Sequence, residues 1–180
     1  MAFLSTFADG SAFSLVRSLI NSLVGRANGT GWGNYTDGTY TSASPFALAA
    51  NTDTNLPNDK TTVIETQKPQ DVTTFYDGTY ITGRNGDGLS ITIDFKAKPS
   101  SGSTTYLECW IDIGGSVGEL YRRIITFPKG NGVERPVNFT VDGYTLDTWQ
   151  SNGGVVKVRA DGTCDIYDIR YVLTRTHQAR

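Results

Sequence analysis

The sequence predicts an all-β protein, an eight-stranded jelly-roll sandwich that carries a short N-terminal amphipathic helix and an extended arm. Two observations lead there. Asp-Gly or Asn-Gly pairs occur ten times in 180 residues, starting at Asp9, Asn28, Asp37, Asp77, Asn85, Asp87, Asn131, Asp142, Asn152 and Asp161. Such pairs are preferred centres of type I′ turns, because both residues tolerate positive φ, so the chain reads as a series of hairpins. Composition agrees: 20 glycines, nine tyrosines, three tryptophans and abundant threonine suit turns and strands, whereas helix formers are sparse.

The helix comes first. Across residues 11–25, Ala12, Phe13, Val16, Leu19, Ile20, Leu23 and Val24 recur at helical spacing while Ser14, Arg17, Ser18, Asn21 and Ser22 fill the opposite side. Ser11 is a fitting N-cap and Gly25 supplies the stop. A lone helix of this length is marginal in water, so its apolar face must be buried on something: its own β domain, copies of itself or a larger partner.

Residues 28–44, rich in glycine and threonine, and residues 51–60, polar with Pro57, read as linker or arm. The division expected is therefore an attachment element at 1–60 and a jelly-roll domain at 61–180. Strands are expected at residues 62–65, 72–82, 89–98, 104–113, 119–127, 133–141, 155–160 and 164–174, the number a two-sheet jelly roll needs. Alternation is clearest where Ile91, Ile93, Phe95 and Ala97 share one parity, and again at Leu107, Cys109, Ile111 and Ile113. The last strand differs: Ile166 and Val172 lie on one parity, Tyr167, Ile169, Tyr171 and Leu173 on the other. A strand apolar on both faces belongs inside the fold or at a subunit contact, which makes Tyr167 and Tyr171 candidate contact residues. Asp-Gly-Thr-Tyr occurs twice, from Asp37 and from Asp77, as one turn chemistry used two times.

A net charge of −2 gives no long-range attraction for nucleic acid or an anionic membrane. Residues 1–20 lack the basic start and unbroken apolar run of an export signal, and no stretch approaches a membrane span. Cys109 and Cys164, each within a strand-like run, are expected as buried, reduced thiols.

Chemistry-bearing patterns are few. The single histidine, His177, lies three residues from the C-terminus, and cysteine- or histidine-rich metal spacing is absent. The stretch Asn51-Thr52-Asp53-Thr54-Asn55 begins like a calcium loop, but Leu56 stands where the turn glycine belongs and Thr62 where the bidentate glutamate belongs. Glu108 and Asp112 share a strand face about 13 Å apart, beyond the roughly 5–9.5 Å of paired glycosidase carboxylates. Asp168 and Arg170 suggest an ion-paired patch, and Arg122-Arg123 is too short a basic cluster for nucleic acid. No enzyme, cofactor or metal is expected. Trp110, on the polar parity of its strand, and Trp149, in a turn-rich segment, are candidate platforms for a glycan, against the simpler reading of packing partners.

Residues 139–143 (Phe-Thr-Val-Asp-Gly), 149–153 (Trp-Gln-Ser-Asn-Gly) and 166–177 (Ile-Tyr-Asp-Ile-Arg-Tyr-Val-Leu-Thr-Arg-Thr-His) resemble the closing strands of trimeric, tumour-necrosis-factor-like jelly rolls of tailed-bacteriophage virions, which serve as capsid decoration proteins or fibre knobs. The resemblance spans residues 61–177 in pattern. It implies a homotrimer without enzymatic activity, located in the virion, assembled in the host cytoplasm, and attached by a short N-terminal element to the major capsid protein or another virion protein. The helix residues Phe13, Val16, Leu19, Ile20 and Leu23 would make that attachment. The alternative is a fibre knob that binds host glycans through Trp110 and Trp149.

Overall fold

A computed structural model describes residues 14–20, 29–128 and 132–179. Residues 14–20 are helical (α1), with Leu15, Val16, Leu19 and Ile20 exposed. Ten strands follow: β1 (Gly31–Thr36), β2 (Phe46–Leu48), β3 (Thr54–Asn55), β4 (Thr62–Ile64), β5 (Gly88–Pro99), β6 (Tyr106–Asp112), β7 (Glu119–Thr126), β8 (Arg135–Tyr144), β9 (Val155–Ala160) and β10 (Cys164–His177), with a short helix α2 (Asp147–Asn152) between β8 and β9. One sheet runs β4-β1-β10-β5-β8, with β2 also on β10; the other runs β3-β9-β6-β7. All paired strands are antiparallel. Eight of the strands thus pair as β1-β10-β5-β8 and β3-β9-β6-β7, with β3 only two residues long, the two interleaved Greek keys of one architecture. The fold is a jelly roll.

The count is ten strands, not eight, because the segment expected to be an arm is part of the sandwich. β1 lies between β10 and β4, with Tyr35 in the core, and β2 and β3 extend the two sheets. The boundary drawn at residue 60 therefore cuts through the sandwich. Glycines at 31 and 33 obscure β1, yet its other parity carries Trp32, Asn34 and Thr36. Residues 72–82, expected as a strand, instead form a loop whose only pairings are isolated bridges, Tyr76 to Ile81 and Ile81 to Gly154. Its apolar pattern comes from Phe75, Tyr76 and Ile81, which plug one end of the sandwich.

Between the sheets the expected parities hold. Ile91, Ile93, Phe95 and Ala97 of β5 face Leu107, Cys109 and Ile111 of β6 across a core completed by Val137, Phe139, Val141, Val156, Val158, Ile169, Tyr171 and Leu173. Each aliphatic side chain so buried contributes about 1.5–3 kcal/mol gross. Cys109 and Cys164 are free and buried. Burial pushes the Cys109 thiol far up and the Cys164 thiol to about 12.

The Asp-Gly pairs do not form type I′ hairpins. No Asp or Asn of a described pair has positive φ, and Gly88 and Gly143 lie inside strands. In a jelly roll most connections cross from one sheet to the other; β6–β7 is the only pair of consecutive named strands that are also neighbours in a sheet. The aspartates act through their side chains instead. Asp37 Oδ2 accepts the Tyr40 N–H at 2.7 Å, and Asp77 Oδ1 accepts those of Thr79 and Tyr80 at 2.8 and 2.7 Å, so both Asp-Gly-Thr-Tyr copies build the same side-chain-closed turn.

Candidate functional site

The doubly apolar reading of β10 resolves into a β-bulge. Its register against β5 slips between Tyr167 and Arg170, and Asp168 sits there at φ 56. One extra residue reverses the parity, so Cys164 and Ile166 before the bulge and Ile169, Tyr171 and Leu173 after it all face the core. Tyr171 is 1% exposed and its hydroxyl donates to Leu56 O at 2.8 Å. Tyr167, 4% exposed, lies under Lys96 and bonds to Glu134. Neither tyrosine is free to meet another subunit, which overturns both as contact residues. Asp168 and Arg170 are ion-paired, though to Lys96 and Asp94 of β5 rather than to each other.

Both tryptophans are covered. Trp110 does point away from the core, as its parity predicts, but the Arg122 guanidinium lies 4.0 Å from its ring centre, held there by Glu108 and Glu119, and leaves it 2% exposed. Trp149 is 4% exposed in α2, its indole N–H donating to Ile81 O at 2.9 Å. Both side chains are thus packed within the chain, and Trp149 touches solvent only where it lines the end cleft described below. Of the helix residues, Val16, Leu19 and Ile20 are exposed on α1, while Phe13 and Leu23 lie outside the described residues.

The carboxylates and the histidine weighed for catalysis have other partners. Glu108 pairs with Arg122 and Asp112 with Lys157. His177 is exposed and meets Tyr144 edge to face. Among the described residues no group of three or more His, Cys, Asp or Glu could hold a metal ion, and no helix is long and apolar enough to cross a membrane.

What the structure does assemble are three surfaces. The first is the outer face of the larger sheet. The register aligns Ile64, Asn34, Val172, Thr92 and Thr140 across five strands, with Trp32 and Thr174 in an adjoining row. Trp32 and Ile64 are exposed there, and the buried Oδ1 of Asn34 has no hydrogen-bond partner. The second is at the opposite edge, where Tyr144 of β8 with Leu146 and Tyr121 and Ile124 of β7 stand exposed. The third is an end cleft between residues 77–83, the β6–β7 connection, α2 and β9.

Beside the cleft lies a polar knot that the sequence did not signal. Arg175, near the end of β10, is buried and donates to Gly29 O, to Asp71 and to Asp87, and Arg84 joins both carboxylates. The Arg175 hydrogen bond holds the Asp71 carboxyl below the usual carboxylate range.

No protein-family model matches the chain, and no curated protein matches it in sequence. Similar solved structures include PRD1 vertex protein P5, 14% identical with a TM-score of 0.43, covering 83% of this chain and 73% of that one. The TNF Eiger from S. frugiperda is 10% identical with a TM-score of 0.46, covering 83% and 95%. For an infectious bursal disease virus VP2 subviral particle the values are 11% and 0.38, with 82% of this chain matched to only 33% of that one. These are distant likenesses of fold, and they carry nothing about activity or partner.

Proposed function

We propose that the chain is a non-enzymatic structural protein of a tailed-phage virion: a homotrimeric decoration protein that grips the major capsid protein through its N-terminal helix. The observation that carries the assembly is a pair of unlike surfaces: Trp32, Asn34, Ile64 and Val172 on the outer face of the larger sheet, and the exposed Tyr144 and Leu146 at its β8 edge with Tyr121 and Ile124 of β7, the edge strand of the other sheet. Two unlike patches that meet head to tail generate a ring when the rotation closes. A ring also supplies the amide of Asn34 with a partner across the interface, which matters because a buried acceptor left unpaired costs about 1–3 kcal/mol.

Attachment falls to α1, whose exposed Leu15, Val16, Leu19 and Ile20 form an apolar surface that the sandwich leaves uncovered. Three such helices per ring turn weak single contacts into avid binding, enough to hold neighbouring capsomers together. No cofactor and no glycan enter this reading. Multi-angle light scattering of the purified chain tests the assembly: the expected mass is three times the 19.6 kDa chain, and a monomer at micromolar concentration overturns the ring. Imaging of purified virions tests location, with density for the jelly roll expected on the outer capsid surface.

A further inference from the structure

The end cleft is built differently from both apolar surfaces. It has a volume of 850 Å³, within the roughly 300–1,000 Å³ of small-molecule sites. Its walls carry Asn55, Tyr80, Asp112, Ser151, Asn152 and Lys157, drawn from β3, the 77–83 loop, β6, α2 and β9. Tyr80 is 43% exposed. The ring is seated by two features: the Asp77 carboxylate, which accepts the Tyr80 N–H, and Gly153, at φ 73, where a Cβ would come within 2.7 Å of Tyr80 Cβ. The platform is thus fixed by backbone on either side of the cleft.

Hydrogen-bonding capacity surrounds that ring. Among the described residues, the Asn55 amide, the Ser151 hydroxyl, the Tyr80 hydroxyl and Asn152 Oδ1 make no hydrogen bond, while Asn152 Nδ2 is anchored on Ile113 O at 2.9 Å. Asp112 is pre-set: its Oδ2 lies 2.6 Å from Lys157 Nζ and its Oδ1 accepts the Gly114 N–H at 2.8 Å. The lining holds two carboxylates, Asp77 and Asp112, against one ammonium that is already paired. An anion would meet net repulsion here. A neutral, polyhydroxylated ring, with one C–H face to lay on an aromatic and hydroxyls to both donate and accept, fits each of these features.

We propose that this cleft binds a neutral oligosaccharide, with Tyr80 as the ring platform and Asn55, Ser151 and Asn152 as hydroxyl partners. The site goes beyond the structural role above and shares no residue with its surfaces. Isothermal titration of the full chain with maltotriose, cellotriose and triacetylchitotriose, and with sialyllactose as an anionic comparison, tests it. At least one neutral trisaccharide should bind saturably, with affinity about tenfold lower in Tyr80→Ala, the loss expected when a stacking partner is removed. Asn55→Ala should weaken binding in the same direction, and Val133→Ala, exposed but outside the cleft, should not. Because Tyr80→Ala can disturb the loop, near-UV circular dichroism accompanies it; if that variant is misfolded, Asn55→Ala decides. The proposal is overturned if no neutral trisaccharide saturates, if binding survives in the folded variants, or if sialyllactose binds as well as its neutral counterparts.

Discussion

At Arg175 a buried cation is worth its place only because two carboxylates and a carbonyl surround it. Asp87 is as deeply buried as the guanidinium it faces, whereas Asp71 is partly open to solvent. Removing the arginine leaves Asp87 with only the half-exposed Arg84 as counter-charge, so Arg175→Ala should cost more than the roughly 1 kcal/mol of a surface pair but less than the about 3–5 kcal/mol of a buried pair broken from one side with nothing left to compensate it. Arg175→Lys, which keeps the charge but not the forked geometry, should fall between. Urea unfolding monitored by tryptophan fluorescence reads both; a loss below about 1 kcal/mol for the alanine variant would mean that the knot is as weak as a surface pair. Asp161 offers the complementary case. Burial raises its carboxyl, but hydrogen bonds from the Thr105 hydroxyl and the N–H groups of Tyr106 and Thr105 outweigh that and hold it below the usual range. A depressed folded pKa means stability that is fully present above the unfolded value of about 3.9 and lost as pH falls through the folded one. Asp161→Asn should therefore be less stable than the parent by about 1–2 kcal/mol at pH 7, and the gap should close on acidification below the carboxylate range. A gap that stays constant to low pH would assign the loss to geometry instead of charge.

The strands show how far local pattern reaches. The parities of β5 and β6 were legible because each alternates in sequence, and burial follows the pleat except at Trp110, which Arg122 covers on the outer face. β10 was misread because parity is a property of register, and register depends on one residue. With Asp168 in the left-handed region the chain gains a step, and a residue set that seemed to split between faces falls on one. Aspartate tolerates that conformation better than most residues, which is the single hint the sequence held. Trp110 and the cleft were illegible for a different reason: the guanidinium that covers the first comes from β7, and the walls of the second come from four separated stretches of chain. The bulge makes a sharp prediction. Deleting Asp168 moves residues 169–177 by one place and turns Ile169, Tyr171 and Leu173 outward, so the deletion variant should give no soluble, β-rich protein. Asp168→Gly keeps the step, relieves the positive-φ cost of about 1–2 kcal/mol and gives up only an exposed pair with Lys96; it should fold with stability equal to or above the parent. Soluble yield and far-UV circular dichroism distinguish the two, and a folded deletion variant would show that β10 can re-register against β5.

For the molecule as a whole, the question is whether α1 completes the jelly roll or serves a partner. Its exposed side chains, Leu15, Val16, Leu19 and Ile20, lie outside a core that is already closed by residues 35 to 173. Full burial of each would yield about 1.5–3 kcal/mol, set against the cost of ordering the segment, so a partner that covers them gains substantially while the sandwich loses nothing by their absence. Among the described residues, the most N-terminal group bonded to the sandwich is the Gly29 carbonyl, which accepts from Arg175. A chain lacking residues 1–26 retains that carbonyl and every strand. It should unfold at the same urea midpoint as the full chain and show the same mass by light scattering, because the proposed ring surfaces lie on β1, β4, β7, β8 and β10. In co-sedimentation with capsids stripped of the protein it should stay in the supernatant, while the full chain pellets. Unfolding or loss of the assembled mass on truncation would place the helix in the fold or in the ring, and pelleting of the truncated chain would move the capsid contact onto the sandwich.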